Sequence, residues 1–324
     1  MPALLLSFLS AIWSTVNICI RALVRWDWLK AKRLPVRVVS VGNLQVGGAG
    51  KTPLVALIAQ EAKERGFCVC ILSRGYGGAW ESRGGVISPG AEVAHPTLCG
   101  DEPALLHELA PEAWIGVGRD RFRQFEAVCS QAGVSIDLVI LDDGFQHWKL
   151  HKDLEVLALT SQRRTQRLFR EWDWAARFAD LRVWTKGEIP PRASLNGHPE
   201  KSDSEVRIRM RPRVWSGEFL AQGALWLVTG LADGPEACRS VEAAGFRVVR
   251  HLNFPDHARY SAPIVKQIIE DARANSAVVA ITGKDGVKWR ELGFDLTRLV
   301  IFEPEIDFLE GREAWLKKLW ANSP

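Results

Sequence analysis

The chain has 324 residues, long for a single hydrophobic core, so two α/β lobes are the expected organisation. A hydrophobic content of 47% and a charged content of 25% are ordinary for a globular protein, and a net charge of +4 is too small to indicate a nucleic-acid-binding protein. The six cysteines form no CxxC pair, which indicates a reducing cytosol with the thiols as small core residues.

The N-terminal stretch at 3–20 is apolar and carries no charge, and basic residues crowd the chain directly after it. The stretch is at the short end for spanning a bilayer, and it lacks the preceding basic region of a secretory signal. Apolar residues followed by basic ones are typical of a helix that rests on the inner leaflet with its charges on anionic headgroups. We predict such a membrane-associated helix within 1–34, with a buried core helix and a true membrane span as alternatives.

A glycine-rich loop joins a predicted strand at 36–41 to a predicted helix at 52–65. Main-chain N–H groups of such a loop, together with the positive end of a helix, bind the phosphates of a nucleotide. Lys51 would reach the β- and γ-phosphates, and the Thr52 hydroxyl would hold Mg²⁺. A strict Walker A loop has glycine where Gln45 stands, which leaves a plain glycine-rich turn as the alternative.

Strands and helices alternate after this loop, which predicts an α/β fold with a doubly wound, mostly parallel sheet. Strands are predicted at 36–41, 67–72, 113–117, 137–141, 154–159 and 181–185, with helices near 52–65, 102–110, 119–132 and 166–178. Further strands at 206–210, 225–229, 246–252, 277–282 and 299–302 predict a second, smaller α/β lobe. The predicted domains are the N-terminal helix at 1–34, a P-loop lobe at 35–188, a linker at 189–203 and the smaller lobe at 204–324.

Three acids and a histidine are candidates for chemistry outside the loop. Asp142 and Asp143 end a strongly apolar strand, where an acid binds Mg²⁺ in P-loop enzymes, although such acids are also common turn residues. Asp101 opens a predicted helix, and composition alone favours an N-cap over a general base. His257 lies beside an acid in a turn-like segment, which leaves a structural and a catalytic role open.

Other segments keep alternative functions open. Thr185-Lys186-Gly187-Glu188 and Thr282-Gly283-Lys284-Asp285 mimic a guanine-specificity motif, although ordinary turn residues are the simpler interpretation. A membrane-associated GTPase or nucleotide-dependent chaperone is therefore the alternative to an enzyme that transfers phosphate, and a lipid-binding protein with a degenerate loop is a third. Side chains that could contact a nucleotide, a phosphate or headgroups are Arg74, Tyr76, Arg163, Arg164, Arg167 and Arg170.

Taken together and in this order, these segments resemble the tetraacyldisaccharide 4′-kinases of lipid A synthesis. The resemblance covers nearly the whole chain, and that family also lacks the leading glycine of the Walker A loop. One departure is that the family's Leu-Pro-Ala-Gly-Pro stretch is replaced here by residues 163–169. The residues that carry the resemblance are Val41-Gly42-Asn43-Leu44, Gly47-Gly48, Gly50-Lys51-Thr52-Pro53, Ser73-Arg74-Gly75-Tyr76-Gly77, Gly100-Asp101-Glu102-Pro103, Asp142-Asp143-Gly144-Phe145-Gln146-His147, Asp256-His257 and Lys284-Asp285.

The resemblance implies a kinase that uses ATP and Mg²⁺ to phosphorylate the 4′-hydroxyl of an acylated glucosamine disaccharide 1-phosphate. It further implies a site at the cytoplasmic face of the inner membrane, and we expect a monomer without a nucleic-acid partner. Asp101 matches the family's base and His257 its histidine partner, and with Lys51 they are the predicted catalytic residues. Predicted nucleotide contacts are Gly47, Gly48, Ala49, Gly50, Lys51, Thr52, Pro53, Tyr76 and Gln146, predicted substrate contacts are Arg74, Arg121 and Arg170, and predicted metal ligands are Thr52, Asp142, Asp143 and Glu171.

Overall fold

The computed structural model describes residues 3–26, 28–92, 94–161, 168–186, 204–216 and 223–321 of the chain. Its first element is a long helix, α1 (Ala3–Arg25), at the position predicted for the N-terminal helix. Between Leu4 and Val24 this helix is apolar and long enough to cross a membrane, and only 17% of its most apolar window is buried. Such exposure does not fit the alternative of a buried core helix.

Strands and helices alternate through the first half of the described chain, and all six predicted strands are present. A further strand, β3, escapes prediction because three residues are too few to show a pattern. The strands are β1 (Arg37–Asn43), β2 (Val69–Ser73), β3 (Gly85–Ile87), β4 (Trp114–Val117), β5 (Leu138–Asp142), β6 (Leu154–Thr160) and β7 (Leu181–Lys186). The helices are α2 (Lys51–Glu64), α3 (Trp80–Arg83), α4 (Pro96–Cys99), α5 (Asp101–Leu109), α6 (Arg121–Ala132) and a 3-10 helix (Asp173–Phe178).

The helix predicted near 166–178 is wrong at residues 168–172, and among its described residues only 173–178 are helical. Residues 162–167, which include the predicted basic side chains at 163, 164 and 167, lie outside the described residues. Residues 168–171, which we call the strap, run beside the glycine-rich loop, where Val46 N donates to the Leu168 carbonyl at 2.8 Å. Arg170 N donates to the Leu44 carbonyl at 2.7 Å. These bonds to the loop replace the hydrogen bonds of a helix, which forms only from Asp173 onward and as a 3-10 helix.

The second half of the described chain contributes five strands and four helices to the same α/β pattern. Its strands are β8 (Glu205–Ser216), β9 (Ala224–Thr229), β10 (Arg247–Asn253), β11 (Ala277–Thr282) and β12 (Val300–Glu310). Its helices are α7 (Gly234–Ala243), α8 (Ala262–Ala274), α9 (Gly283–Glu291) and α10 (Arg312–Trp320). β8 and β12 are much longer than predicted, because they form an antiparallel ladder that extends both.

One sheet joins both halves in the described residues, in the order β10-β9-β11-β12-β8-β7-β6-β1-β5-β2-β4-β3. Its strand pairs are parallel except for β8 with β12 and β3 with β4. The parallel pairing of β7 with β8 carries the sheet across the boundary predicted between the lobes. The two-lobe division therefore stays a prediction, and the predicted linker at 189–203 lies outside the described residues.

The helix that follows the glycine-rich loop is held from the far end of the chain. Trp315 and Leu319 of α10 are fully buried in the same apolar cluster as the inner face of α2. The indole N–H groups of Trp315 and Trp320 both donate to Glu61 Oε2, at 3.0 and 2.9 Å. Buried indoles need such an acceptor, so the C-terminus of the described chain fixes α2 in place.

Candidate active site

The glycine-rich loop leaves β1 after Asn43 and reaches α2 at Lys51. Gly47, Gly48 and Gly50 have φ angles of 71°, 64° and 70°, a left-handed backbone that residues with a Cβ rarely adopt. Among the described residues no side chain caps the start of α2, so its first N–H groups are open to a ligand or to water. The loop therefore has the geometry of an anion-binding cradle at a helix N-terminus.

Lys51 lies in a polar cluster at the end of this loop. Its Nζ is 3.3 Å from Asn43 Oδ1 and 3.3 Å from Asp143 Oδ1. Arg170 Nη1 is 2.7 Å from Asp143 Oδ2 and donates to Gln146 Oε1 at 3.3 Å. Gln146 in turn donates to the Asn43 carbonyl at 3.0 Å. The structure thus brings four predicted site residues together: the lysine, the aspartate, the glutamine and the arginine.

The two acids at the end of β5 have pKa values shifted in opposite directions. Parallel pairing places Asp142 directly opposite Val41 of β1, which puts both acids beside the glycine-rich loop. Burial raises the pKa of Asp142 to about 7, and its carboxyl accepts a hydrogen bond from Ser73 Oγ at 2.8 Å. Burial acts on Asp143 too, but Lys51 and other cations outweigh it and lower the pKa of Asp143. A bound divalent cation would hold such a pair ionised together.

Asp101 and His257 are 156 positions apart in the chain and meet in the structure. His257 Nδ1 lies 3.1 and 3.0 Å from the two carboxylate oxygens of Asp101. The hydrogen bond to Asp101 raises the pKa of His257. Burial would raise the pKa of Asp101, but His257 and two nearby lysines outweigh it and lower that pKa. The predicted acid and histidine therefore form a charged pair.

Two lysines one turn apart on α9 also approach this pair. The Nζ atoms of Lys284 and Lys288 lie 3.7 and 3.4 Å from Asp101 Oδ2. Lys284 Nζ is also 3.1 Å from Asp256 Oδ1 and 3.4 Å from His257 Nε2. Although burial opposes it, the surrounding carboxylates raise the pKa of Lys284. Sequence reasoning singled out Lys284 only in the guanine-like motif and the family resemblance, without a role in catalysis, and it missed Lys288. The i, i+4 spacing of the two lysines on one helix face was the local signal for Lys288.

A cleft of about 490 Å³ lies between the glycine-rich loop and the second half of the chain. Asp256, which pairs with Lys284, is part of its wall, and the Tyr76 ring packs edge-on against His257 with 5.4 Å between centroids. The cleft therefore has the glycine-rich loop on one wall and the surroundings of the acid–histidine pair on the other. It is lined by Val46, Gly47, Leu231, Ala232, Asn253, Phe254, Pro255 and Asp256.

The other predicted contacts lie at different depths. Thr52 and Pro53 occupy the first turn of α2, next to Lys51. Arg121 is buried and donates to the Gly118 carbonyl at 2.9 Å, and burial lowers its pKa to about 10 against the opposing charge of the two aspartates. Arg74 is exposed and pairs with Glu81 at 2.9 Å. Of the three arginines predicted for substrate, only Arg170 belongs to the cluster around the loop.

Glu171 has a different neighbour from the one its predicted role requires. Its buried carboxylate lies 3.1 Å from Arg21 Nη2 of α1. Burial raises the pKa of Glu171, against the opposing charge of Arg21. Among the described residues no group of three or more histidine, cysteine, aspartate and glutamate side chains could hold a metal ion. Glu171 is therefore not gathered with Asp142 and Asp143 into one cluster, and its role as a metal ligand stays a prediction.

A family model described as Tetraacyldisaccharide-1-P 4'-kinase matches residues 2–321. The chain belongs to this family. Curated tetraacyldisaccharide 4′-kinases from Pelobacter propionicus and Geobacter sulfurreducens are 35% and 36% identical to it, and the matches cover 82% and 81% of this chain and 77% and 76% of theirs. The one from Aquifex aeolicus is 32% identical over 90% of both chains.

A crystal structure of LpxK from Aquifex aeolicus in complex with ATP has the same fold, with a TM-score of 0.72 and 27% identity over 96% of this chain and 95% of that one. The predicted family and the predicted α/β fold with an N-terminal apolar helix are thereby confirmed. Membership of the tetraacyldisaccharide 4′-kinase family also confirms the predicted enzyme class, a kinase that acts on a hydroxyl group.

The GTPase alternative is not favoured by this membership, and the structure gives a physical reason. Asp285 of the second guanine-like motif is fully buried and accepts hydrogen bonds from Gly230 N, Tyr260 Oη and Thr282 Oγ1 at 3.0, 2.8 and 2.7 Å. A carboxylate satisfied in this way is not available to a guanine base. In the first motif, Thr185 donates instead to the main chain, while Gly187 and Glu188 lie outside the described residues.

Proposed function

We propose that the chain transfers the γ-phosphoryl group of ATP to the 4′-hydroxyl of an acylated glucosamine disaccharide 1-phosphate. The observation that carries this proposal is the Asp101–His257 pair beside a cleft whose other wall is the glycine-rich loop. Phosphoryl transfer needs phosphates held in place opposite a hydroxyl that can release its proton. The ATP complex of the Aquifex aeolicus relative supports ATP as the donor, and the names of the relatives, tetraacyldisaccharide 4′-kinases, support the acceptor.

The residues of the loop fit a nucleoside triphosphate. Three glycines turn the backbone so that its N–H groups can converge on phosphate oxygens, and Lys51 supplies a charge at the same place. Asn43 Nδ2 is buried and has no hydrogen-bond partner within the part of the chain that the structure describes. A buried donor of this kind is costly unless a ligand or water pairs with it, which supports a polar ligand here.

Thr52, Asp142 and Asp143 fit Mg²⁺, because hydroxyl and carboxylate oxygens are the donors that this ion prefers. Two carboxylates and a hydroxyl suffice at such a site, since Mg²⁺ usually completes its shell with water and substrate phosphates. When bound there, the ion would neutralise charge that develops on the phosphates. Lys51 and Arg170 contact Asp143 in the structure, so we expect them to share that carboxylate with the ion or to move toward phosphate.

Asp101 is assigned to the acceptor hydroxyl. Its carboxylate is held ionised by His257, Lys284 and Lys288, so it can accept a hydrogen bond from the hydroxyl at neutral pH. A carboxylate with a lowered pKa is a weak base, which suits a loose transition state in which the proton leaves late. His257 orients the carboxylate through Nδ1 and helps to hold it ionised.

The N-terminal helix supports a site at the cytoplasmic face of the inner membrane. α1 exposes much of its apolar surface and buries the polar residues Ser10, Ser14 and Asn17, the reverse of a helix that packs against a water-soluble core. Trp26 and Trp28 beyond its end are 68% and 76% exposed, as suits residues at a membrane interface. We further propose a monomer that binds no nucleic acid.

Transfer of labelled phosphate tests this function directly. The protein is incubated with γ-labelled ATP, Mg²⁺ and a detergent-dispersed acylated disaccharide 1-phosphate, and the lipids are then resolved. Asp101→Asn should lower kcat by about 10²–10⁴-fold, as expected for loss of a group that handles the proton. The isosteric Glu242→Gln on the exposed side of α7 is the matched control and should leave the rate unchanged. No labelled lipid from the wild-type protein, or full activity in Asp101→Asn, would contradict the proposal.

A further inference from the structure

The buried face of α1 is polar, and this face contacts the strap. Ser10 is fully buried and Asn17 is 5% exposed. Phe169 N donates to Ser10 Oγ at 2.9 Å, and Asn17 Nδ2 donates to the Arg170 carbonyl at 2.9 Å. A helix that served only as an anchor would need an apolar face toward lipid. It would not need these hydrogen bonds to the strap.

Arg21 extends the same face toward the turn that follows the two aspartates. Its Nη2 lies 3.1 Å from Glu171 Oε1 at the end of the strap. Its guanidinium carbon lies 4.7, 4.6 and 4.5 Å from the ring centroids of Phe145, Trp148 and Phe178. Phe145 and Trp148 belong to the segment that follows the two aspartates, so Arg21 joins α1 to both the strap and this segment.

The strap reaches the site through Arg170. Its N–H donates to the Leu44 carbonyl of the loop at 2.7 Å, while its own carbonyl accepts from Asn17 on the other side. Its guanidinium is 2.7 Å from Asp143 Oδ2. The main chain of Arg170 is therefore held between α1 and the glycine-rich loop, and that position sets where its side chain can reach.

We propose that Asn17 and Arg21 are positioning residues of the kinase, because they fix the strap and thereby hold Arg170 on Asp143. α1 is then a wall of the catalytic site as well as an anchor. The effect on catalysis rests on the proposed function. The position of the strap rests on the contacts alone. Loss of the Asn17 amide leaves the Arg170 carbonyl without this donor and allows the strap to move away from the loop.

Asn17→Leu tests the inference, because leucine has a similar size and cannot donate to the Arg170 carbonyl. With the detergent-dispersed acceptor, kcat should fall about tenfold, the effect of one lost positioning contact. Binding to vesicles of phosphatidylethanolamine and phosphatidylglycerol should stay within twofold, since the apolar face is unchanged. The matched control is Asn275→Leu, which removes an equivalent bond of 2.8 Å from an asparagine to the Asp271 carbonyl and should leave kcat unchanged.

A double-mutant cycle separates positioning from general loss of structure. In an Arg170→Ala background, Asn17→Leu should lower kcat no further, because a positioning residue acts only through the side chain that it positions. Arg21→Lys should retain more activity than Arg21→Met, because lysine keeps the positive charge beside Glu171. Equal losses from Asn17→Leu in both backgrounds, or wild-type kcat in the single variant, would overturn the inference.

Hydrogen exchange gives a readout that does not depend on activity. Amide exchange at Phe169 and Arg170 should be at least about tenfold faster in Asn17→Leu than in the wild type, and unchanged in Asn275→Leu. Unchanged exchange in Asn17→Leu would overturn the inference even if the kcat of that variant had fallen. Faster exchange in a protein that phosphorylates no acceptor would support the strap's attachment to α1 and contradict the proposed function alone. Should Asn17→Leu not fold, Arg21→Met serves in the same measurements.

Discussion

Replacement of Gly42 by alanine should nearly abolish catalysis while the protein stays folded. Gly42 lies near the end of β1, where the turn after the two aspartates passes close to the strand. An ideal Cβ there would lie 2.6 Å from the backbone N of Phe145 and 3.0 Å from its Cα. Non-bonded heavy atoms settle at about 3.5–4.0 Å, so the turn must move by about 1 Å. Because the contact is with main chain, no side-chain rotation can relieve it.

A shift of that size moves Asp142 and Asp143 relative to Lys51. Misplacement by about 1 Å costs about 10²-fold in rate, which corresponds to about 2.7 kcal/mol of activation free energy. The free energy of unfolding should fall by about 1–3 kcal/mol, the usual cost of overpacking a buried site. The variant should therefore stay folded at 25 °C and be nearly inactive.

Steady-state kinetics and chemical unfolding check the two effects separately. Gly286→Ala is the matched control, because the nearest atoms to an ideal Cβ at that position of α9 lie 3.7 Å away. Alanine there should leave kcat unchanged and stabilise the fold by about 0.5–1 kcal/mol, as expected for glycine replaced within a helix. A Gly42→Ala protein with kcat within threefold of wild type would refute the reasoning.

Three further predictions concern charged groups of the site and its support. Lys51→Met should lower kcat/KM by about 10²–10³-fold in the labelled-phosphate assay, as for loss of one preorganised charge. Asp101→Asn removes the carboxylate that raises the pKa of His257, so NMR titration should find that pKa lowered toward its ordinary 6.5. The ionised pair stabilises the fold fully below pH 6.5 and above pH 3.8, and the contribution is lost as pH rises through the raised pKa of His257 or falls through the lowered pKa of Asp101. Unfolding of Asp101→Asn should therefore differ most from wild type inside that window. Asp285→Asn should cost about 2–4 kcal/mol of unfolding free energy in denaturant titrations, because it breaks a buried network of three hydrogen bonds.

Much of the sheet could be predicted because buried parallel strands are continuous apolar runs. The long ladder of β8 and β12 could not, since its alternating charges make sense only as cross-strand pairs. Arg213 pairs with Glu305 at 3.0 Å, and Arg207 pairs with Glu310 at 3.1 Å. Val206 and Ile208 of β8 are buried and mark the part that was predicted, but Pro212 of β8 and Pro304 of β12 interrupt the two patterns. Proline within a run argues against a strand, so neither sequence alone predicts the full ladder.

The site divides in the same way. The glycine-rich loop and the acids after β5 are local features, and residue types at strand ends were enough to predict them. The Asp101–His257 contact joins distant segments, so local composition favoured a helix cap and only the family resemblance indicated catalysis. Lys284 and Asp285 are neighbours in one motif, yet one faces the acid–histidine pair and the other is buried structure. No local pattern distinguishes two such roles.

The orientation of α1 is the property that sequence is least able to supply and that matters most for a lipid acceptor. Apolar and polar residues on opposite faces predict an amphipathic helix without telling which face is buried. Here the polar face of α1 is the buried one, and a hydrogen bond from Asn17 connects the helix directly to Arg170. An acceptor with several acyl chains keeps its hydroxyl close to the headgroups. With α1 at the membrane, as proposed, a site fixed to this helix by such short contacts would be held at a constant height above that surface, which would give the polar residues a role on a helix otherwise suited to lipid.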